Sequence, residues 1–485
     1  MNKKILWLVF ALLVVVISML ATLSDKPIDE SERYIDVNDF IKKDDMVADL
    51  DTLAAIFEKI HPNPYRFQKK HQFKSFLEQR TRELPDSLNT LNFWRLIDET
   101  ICRFNDAHSY AKDFYVLNDY VQKEKLFFPL AAKVDKDRII VTSSHTSDST
   151  ILKGMEIVSI NGIAAKNLIP KLARHSPKET NSLDLKEISE DFGFYLWKTY
   201  DWGPSYKIKY KNEKEGFSID SLLIEGIPWE QRSKKVSSQD SSFKFEILED
   251  ETGIIKIIDF DNGSRSGYNN FYEESFKKLK EKKIKNLIID FRNHTGGADQ
   301  YGEDLAKYIA KKPFRKLHEA FWKITPEFKE AFDRRFVPKG IRWFKPIYLI
   351  NEYSKVFYGT EPTDLVIVRP EFKQPLPEEE RFEGRVFLIT NHNTFSAGSV
   401  FAEMFKYYEM GTIIGQPTGN LCSFNGFALS EHVLPNSKIT FQVSSVYNIA
   451  NSGEEGLKTV VPDRILETHI DPIDYISNQL ITEFN

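Results

Sequence analysis

Asn286-Leu-Ile-Ile-Asp-Phe-Arg-Asn-His-Thr-Gly-Gly297 is an apolar strand that breaks into a polar turn ending in two glycines. Val386-Phe-Leu-Ile-Thr-Asn-His-Asn-Thr-Phe-Ser-Ala-Gly-Ser-Val400 repeats the plan, with Ser396-Ala397 where the glycines stood. Short Ile- and Leu-rich runs closed by turn residues read as buried strands. Glycine tolerates positive φ and lets a backbone approach a ligand closely. Brought together, the two turns would place two backbone N–H groups and one hydroxyl around a carbonyl carbon, the equipment of acyl transfer. Ser396 opens a helix whose apolar positions are Val400, Phe401, Met404, Phe405 and Tyr408, so its hydroxyl sits at the positive end of a helix dipole. Each turn also has a plainer reading: Ser396 as an N-cap, and the glycine pair as a tight strand-to-helix connection.

Working outward, strands near 253–260 and 284–291 alternate with helices near 268–283 and 300–311, which implies an α/β layer architecture. Residues 313–380 are rich in aromatics, proline and charge without a clean period, and read as an insertion over the active face. Upstream, helical spacing runs over 44–61 and stops at His61-Pro-Asn-Pro64. Further helices are expected near 72–84 and 91–104, ending in Asn105-Asp-Ala-His-Ser-Tyr110. From about 127 the texture changes to short strands, at 139–142, 154–162, 206–210 and 217–223, with a short helix at 165–172. The expected division is a targeting segment at 1–23, a linker at 24–40, a helical domain at 41–126, a β-rich domain at 127–226 and an α/β domain at 243–485.

Residues 5–23 carry no charge, follow Lys3-Lys4 and are about long enough to span a bilayer. An uncleaved anchor is expected, with a removed signal peptide as the alternative; the flanking lysines put the rest of the chain outside the cytoplasm. The 485 residues are 41% apolar and 28% charged, enough for several cored domains. A net charge of −5 argues against nucleic acid as a partner. Cys102 and Cys422 exclude a disulfide framework; one bridge or two buried thiols remain. The histidines are too scattered to suggest a metal site, and no phosphate-binding glycine loop stands out, so no cofactor is expected. A serine nucleophile needs a base, and His108, His294 and His392 are the candidates.

Taken in order, these motifs resemble peptidase family S41, the carboxyl-terminal processing proteases and tricorn-type proteases. Leu287 to Gly297 is similar to that family's strand-plus-glycine motif, and Thr394-Phe-Ser-Ala-Gly-Ser399 to its nucleophile turn. Ile413-Ile-Gly-Gln-Pro-Thr-Gly419 and Val460-Val-Pro-Asp463 resemble its later motifs, and 154–172 resembles part of a PDZ module. The resemblance implies a ClpP/crotonase-like α/β catalytic domain behind an N-terminal helical domain and a small PDZ-like β-rich domain. Processing proteases use a Ser–Lys dyad, but the lysine position falls on Leu421, and no lysine lies between Tyr407 and Lys438. Tricorn-type relatives use a histidine from a preceding helical domain, which Ala107-His108-Ser109-Tyr110 resembles, and a glutamate near the last motif, here Glu454 or Glu455.

The resemblance thus implies a serine peptidase of the cell envelope acting on peptide or protein substrates. Ser396 would be the nucleophile and His108 the base, with an oxyanion hole from Gly296 or Gly297 and Ala397. The PDZ-like part would capture a peptide end or serve as a spacer. The alternatives are an inactive, PDZ-bearing peptide-binding protein and an esterase using the same machinery. Oligomeric state is not legible.

Overall fold

The structure, a computed structural model, describes residues 35–146, 152–177, 179, 181–212, 218–233, 242–248, 251–337, 357, 359, 365–427, 431–453, 458–467 and 469–481. The segment expected to target the chain, residues 24–34 of the expected linker, and both Glu454 and Glu455 lie outside these residues, while Ile35 and Val37 at the end of that linker are buried in the helical core.

Asn286–Asp290 is buried at every position and forms the middle of a six-stranded sheet. Across the sheet the order is Phe243–Ile247, Thr252–Ile257, Asn286–Asp290, Arg385–Thr390, Thr412–Gly415 and Arg464–Ile465. The first pair is antiparallel and the others parallel. Successive strand residues face opposite sides. Leu287, Ile289 and Leu388 pack under Tyr272, Phe276, Phe401 and Phe405 from the helices Arg265–Glu281 and Ala397–Tyr407. Ile288, Phe387 and Ile389 face the opposite side, against Leu466, Ile476 and Leu480. Each such side chain contributes about 1.5–3 kcal/mol by leaving water, which is why the strands read as unbroken apolar runs. The first turn of Arg265–Glu281 starts earlier than the periodicity predicts because Ser264 accepts from the Gly267 N–H and caps it.

Leu130–Asp135, Arg138–Ser144, Glu156–Ile160, Ser205–Asn212 and Ser218–Glu225 form an antiparallel sheet in that order, with the short Ile163–Ala164 beside the third strand. Ala165–Leu172 packs on it, as do Asn181–Glu190 and Phe192–Thr199, two helices that the sequence reading left out. Phe192 and Leu196 pack on the sheet, whereas Trp197 packs in the helical core against Trp94 and Tyr120, so this short helix is apolar on two sides and shows no single helical stripe.

The described part of residues 313–380 holds regular elements that the sequence reading did not locate. Glu319–Lys323 and Leu365–Val368 join Val446–Ile449 and Phe424–Gly426 in an antiparallel sheet, and Pro326–Phe336 is a helix. Strands of four or five residues whose partners lie far along the chain leave little periodic signal.

The helices Lys43–Ile60, Lys70–Glu83 and Thr90–Cys102 share a core with a distant segment. Phe57 stacks on Phe104 at 4.0 Å between ring centres and on Phe441 at 6.3 Å. Tyr110–Ala111 then pairs as a strand with Thr440–Gln442. This seam carries the 105–110 loop to the far end of the chain. Neither cysteine forms a disulfide among the described residues; Cys102 is buried and Cys422 half-buried.

Candidate active site

Asn286–Asp290 and Arg385–Thr390 run parallel in direct register, from Asn286 opposite Arg385 to Asp290 opposite Ile389. Their following turns therefore leave the same sheet edge side by side, the place where open parallel sheets bind ligands. The turns are tied together: Thr394 Oγ1 donates to the Phe291 carbonyl at 2.8 Å, and the Phe395 N–H donates to the His294 carbonyl at 2.8 Å.

Ser396 occupies the N-cap position of Ala397–Tyr407 but makes no capping hydrogen bond. Its backbone sits at φ +51° and ψ −120°, a strained conformation for a residue with a Cβ. That strain turns Oγ away from its own helix. Oγ lies 3.0 Å from Nε2 of His108, a residue 288 positions earlier in the chain.

Gly296 makes this close approach possible. A Cβ there would lie 2.7 Å from the Ser396 Cβ, and Gly296 and Gly297 hold φ of +116° and +114°. The Gly296 N–H already donates to Nδ1 of His294 at 3.2 Å. Neither Gly297 nor Ala397 donates its N–H to a described residue. Of the two glycines left open by the sequence, Gly297 is therefore the one with a donor to spare.

The three histidines separate cleanly. His294 is fully buried, stacked on Phe291 and against Phe260, and burial pushes it down to about 3. Since Nδ1 accepts from Gly296, its proton rests on Nε2, and the ring is a neutral brace for the glycine turn. His392 faces Gln416 Oε1 at 3.0 Å through Nδ1. His108 alone among the three reaches Ser396.

His108 lies between Phe395 and Phe424, with ring centres 5.0 and 5.4 Å away. Burial lowers its pKa, while the charges of Asp106 and Asp299 and the nearby Asn425 backbone push the other way. Nδ1 is buried and makes no hydrogen bond to a described residue. Asp106 fixes the loop: Oδ1 accepts from the His108 N–H at 3.0 Å and Oδ2 from Ser109 Oγ at 2.5 Å. His61 Nε2 faces the same oxygen at 3.1 Å, while its Nδ1 accepts from the Asn63 N–H. The Asp106 carboxyl is fully buried, yet His61, His108 and Ser109 hold it well below the usual carboxylate range. From the other side, the Ser444 N–H donates to Ser109 Oγ and Gln442 Nε2 to the His108 carbonyl. The sequence read His61 only as part of a helix stop; its role beneath the His108 loop is tertiary.

Leu421, at the position of the dyad lysine, is buried and bridges to Thr459. Among the described residues no cluster of three or more His, Cys, Asp or Glu side chains is arranged to hold a metal.

Residues 251–465 match peptidase family S41. Those residues form a domain of that family. The chain is a serine peptidase. No curated protein matches it by sequence. Among solved structures, mature CPAF complexed with lactacystin superposes with a TM-score of 0.60 at 14% identity, covering 91% of this chain and 97% of that one. A second structure of mature CPAF gives 0.60 at 13% identity, over 91% and 95%. The photosystem II D1 C-terminal processing protease is more distant, with a TM-score of 0.44 at 13% identity over 89% and 96%. At these identities the likeness to CPAF speaks for a shared fold.

The chain also brings to Ser396 residues that its sequence did not announce. The Ser396 N–H donates to Asn420 Oδ1 at 2.5 Å, and Asn420 Nδ2 donates to Glu179 Oε2 at 2.6 Å. Asn420 directly follows the Gln416-Pro-Thr-Gly419 motif, the one signal that could have drawn attention to it. Nothing near Glu179 in the sequence points to it.

Proposed function

We propose that this peptidase cleaves peptide bonds through an acyl-enzyme formed on Ser396, with His108 as the base. The observation that carries this reading is the 3.0 Å contact between His108 Nε2 and Ser396 Oγ, made by a serine whose backbone is strained to present it. A histidine kept neutral by burial is ready to take a proton. In the proposed step His108 accepts the Ser396 proton as Oγ attacks the carbonyl carbon. The developing oxyanion is held by the N–H groups of Gly297 and Ala397 at the positive end of the site helix. His108 then protonates the leaving amine, and water attacks the acyl-enzyme by the same route in reverse. Glu454 or Glu455 is the proposed orienting acid, on the resemblance of the Val460-Val-Pro-Asp463 region to tricorn-type relatives.

The peptide-capturing, PDZ-like role belongs to residues 127–226 in this proposal. Its support is the sheet edge at Ser218–Glu225, where Ile219 and Leu223 are exposed. The cell-envelope location rests on the apolar stretch 5–23 behind its lysines. No helix among the described residues is long and apolar enough to cross a membrane.

Fluorophosphonate labelling of the full chain, beside Ser396→Ala and His108→Ala, tests the catalytic assignment. Labelling lost in both variants is the expected result. Labelling retained by His108→Ala at the wild-type rate would overturn His108 as base. Labelled material that stays in the soluble fraction of cells, with residues 1–23 intact, would overturn the anchor.

A further inference from the structure

We infer that Glu179 is a positioning residue for the nucleophile, acting through Asn420. The inference rests on the Ser396 assignment above. Two short hydrogen bonds join a carboxyl to the strained backbone of Ser396, and both intermediary side chains are shut off from water: Asn420 is 0% and Glu179 4% exposed.

An asparagine amide can present either its oxygen or its NH2 group to a neighbour. Toward Ser396 only the oxygen is useful, because Ser396 offers an N–H. Turned the other way, the amide would set two donors against each other in a buried site. Glu179 decides the matter by accepting from Nδ2, which leaves Oδ1 aimed at Ser396. The bond to Asn420 also occupies the Ser396 N–H, so the free donors beside Oγ are those of Ala397 and Gly297.

Burial pushes the Glu179 carboxyl up to about 8; Asn420 and Arg66 oppose this, while Asp106 and Glu187 reinforce it. Such a raised carboxyl places less negative charge behind the oxyanion site, and the geometry that fixes the amide is the acceptance at Oε2 from Nδ2.

Glu179 comes from the segment that joins the β-rich sheet's helices, directly before Asn181–Glu190. That same helix reaches the nucleophile turn a second time: Lys186 Nζ donates to Asn393 Oδ1, and Asn393 Nδ2 donates to Glu190 Oε1 at 2.8 Å. The seating of the β-rich unit is thus tied to the geometry of Ser396.

The test compares Glu179→Met, which keeps volume and removes the acceptor, with Asn420→Ala and Glu179→Gln in the full chain. The readouts are kcat and KM on a peptide, the fluorophosphonate labelling rate, and Tm. The expected result for Glu179→Met and Asn420→Ala is a kcat and labelling rate lower by about 10–100-fold, with KM within about twofold, the scale of a misplaced reacting group. Gln, whose carbonyl can accept from Asn420, should recover most of the loss. A folded Glu179→Met that labels at the wild-type rate would overturn the inference while leaving Ser396 in place. Wild-type protein that fails to label at Ser396 would overturn the parent assignment and this one with it. Should Glu179→Met fold poorly, the kcat of Asn420→Ala decides: a wild-type value overturns the inference.

Discussion

The two turns that leave Asn286–Asp290 and Arg385–Thr390 begin alike and end with opposite jobs. Each follows a buried parallel strand, carries a histidine and passes through positive φ before a helix. The first turns inward. His294 sits in the core, spends Nδ1 on the Gly296 N–H, and leaves the glycines as bare backbone at the site. The second turns outward. His392 stays at the periphery with Gln416, and the strained residue is Ser396, which carries a reactive side chain. The difference teaches that a site of this kind needs one turn that contributes only backbone and one that contributes a hydroxyl beside its own backbone N–H. The base then has to come from elsewhere, and the proposed one, His108, lies in a loop 288 residues before the serine, with Nε2 3.0 Å from its Oγ.

The comparison is broken most severely by removing the hydroxyl or its base. Ser396→Ala and His108→Ala should each lower kcat by at least about 10³-fold, measured on a peptide substrate, with Tm little changed. A comparable loss in His392→Ala would show that the second turn supplies the base after all.

Gly297→Ala comes next. A Cβ there would meet the Phe260 carbonyl carbon at 2.5 Å and would need φ of +114°. The shifted N–H should cost about 10²–10³-fold in kcat, as for loss of one oxyanion donor, with KM the lesser effect.

His294→Phe sharpens the contrast between the two histidines. The ring volume is kept, but the buried Gly296 N–H loses its acceptor, which should cost about 1–3 kcal/mol in a denaturation experiment. Labelling of Ser396 should persist, more slowly; complete loss would assign chemistry to His294. The smallest effect is expected from His392→Ala, with kcat within about twofold, since surface substitutions away from such features change little.

The pH profile separates the histidines in another way. Burial lowers the folded-state pKa of His108, so it remains neutral as pH falls through the ordinary histidine value near 6.5. The acidic limb of kcat/KM should therefore have its midpoint below that value. The sign for stability is the same: a depressed histidine contributes stability above the unfolded pKa, and this is lost as pH falls through the folded one. An acidic limb above 6.5 would contradict the buried, neutral base.

The sequence by itself determined the strands, the two turns and the chemistry of their residues. Buried parallel strands must be apolar throughout, and a backbone that approaches a nucleophile within 2.7 Å of an added Cβ must be glycine; both leave local marks. The family resemblance then ordered those marks. Only the tertiary structure decided which of these residues meet. Gly296 and Gly297 are indistinguishable as letters, and the His294 ring separates them by taking one N–H. His108 met Ser396 because Phe57, Phe104 and Phe441 share a core and Tyr110–Ala111 pairs with Thr440–Gln442. His61 beneath Asp106 and Glu179 behind Asn420 left no local signal, since a buried polar residue is defined by partners far along the chain. Local patterns record which face of an element is buried, whereas a catalytic contact depends on which distant element that face meets.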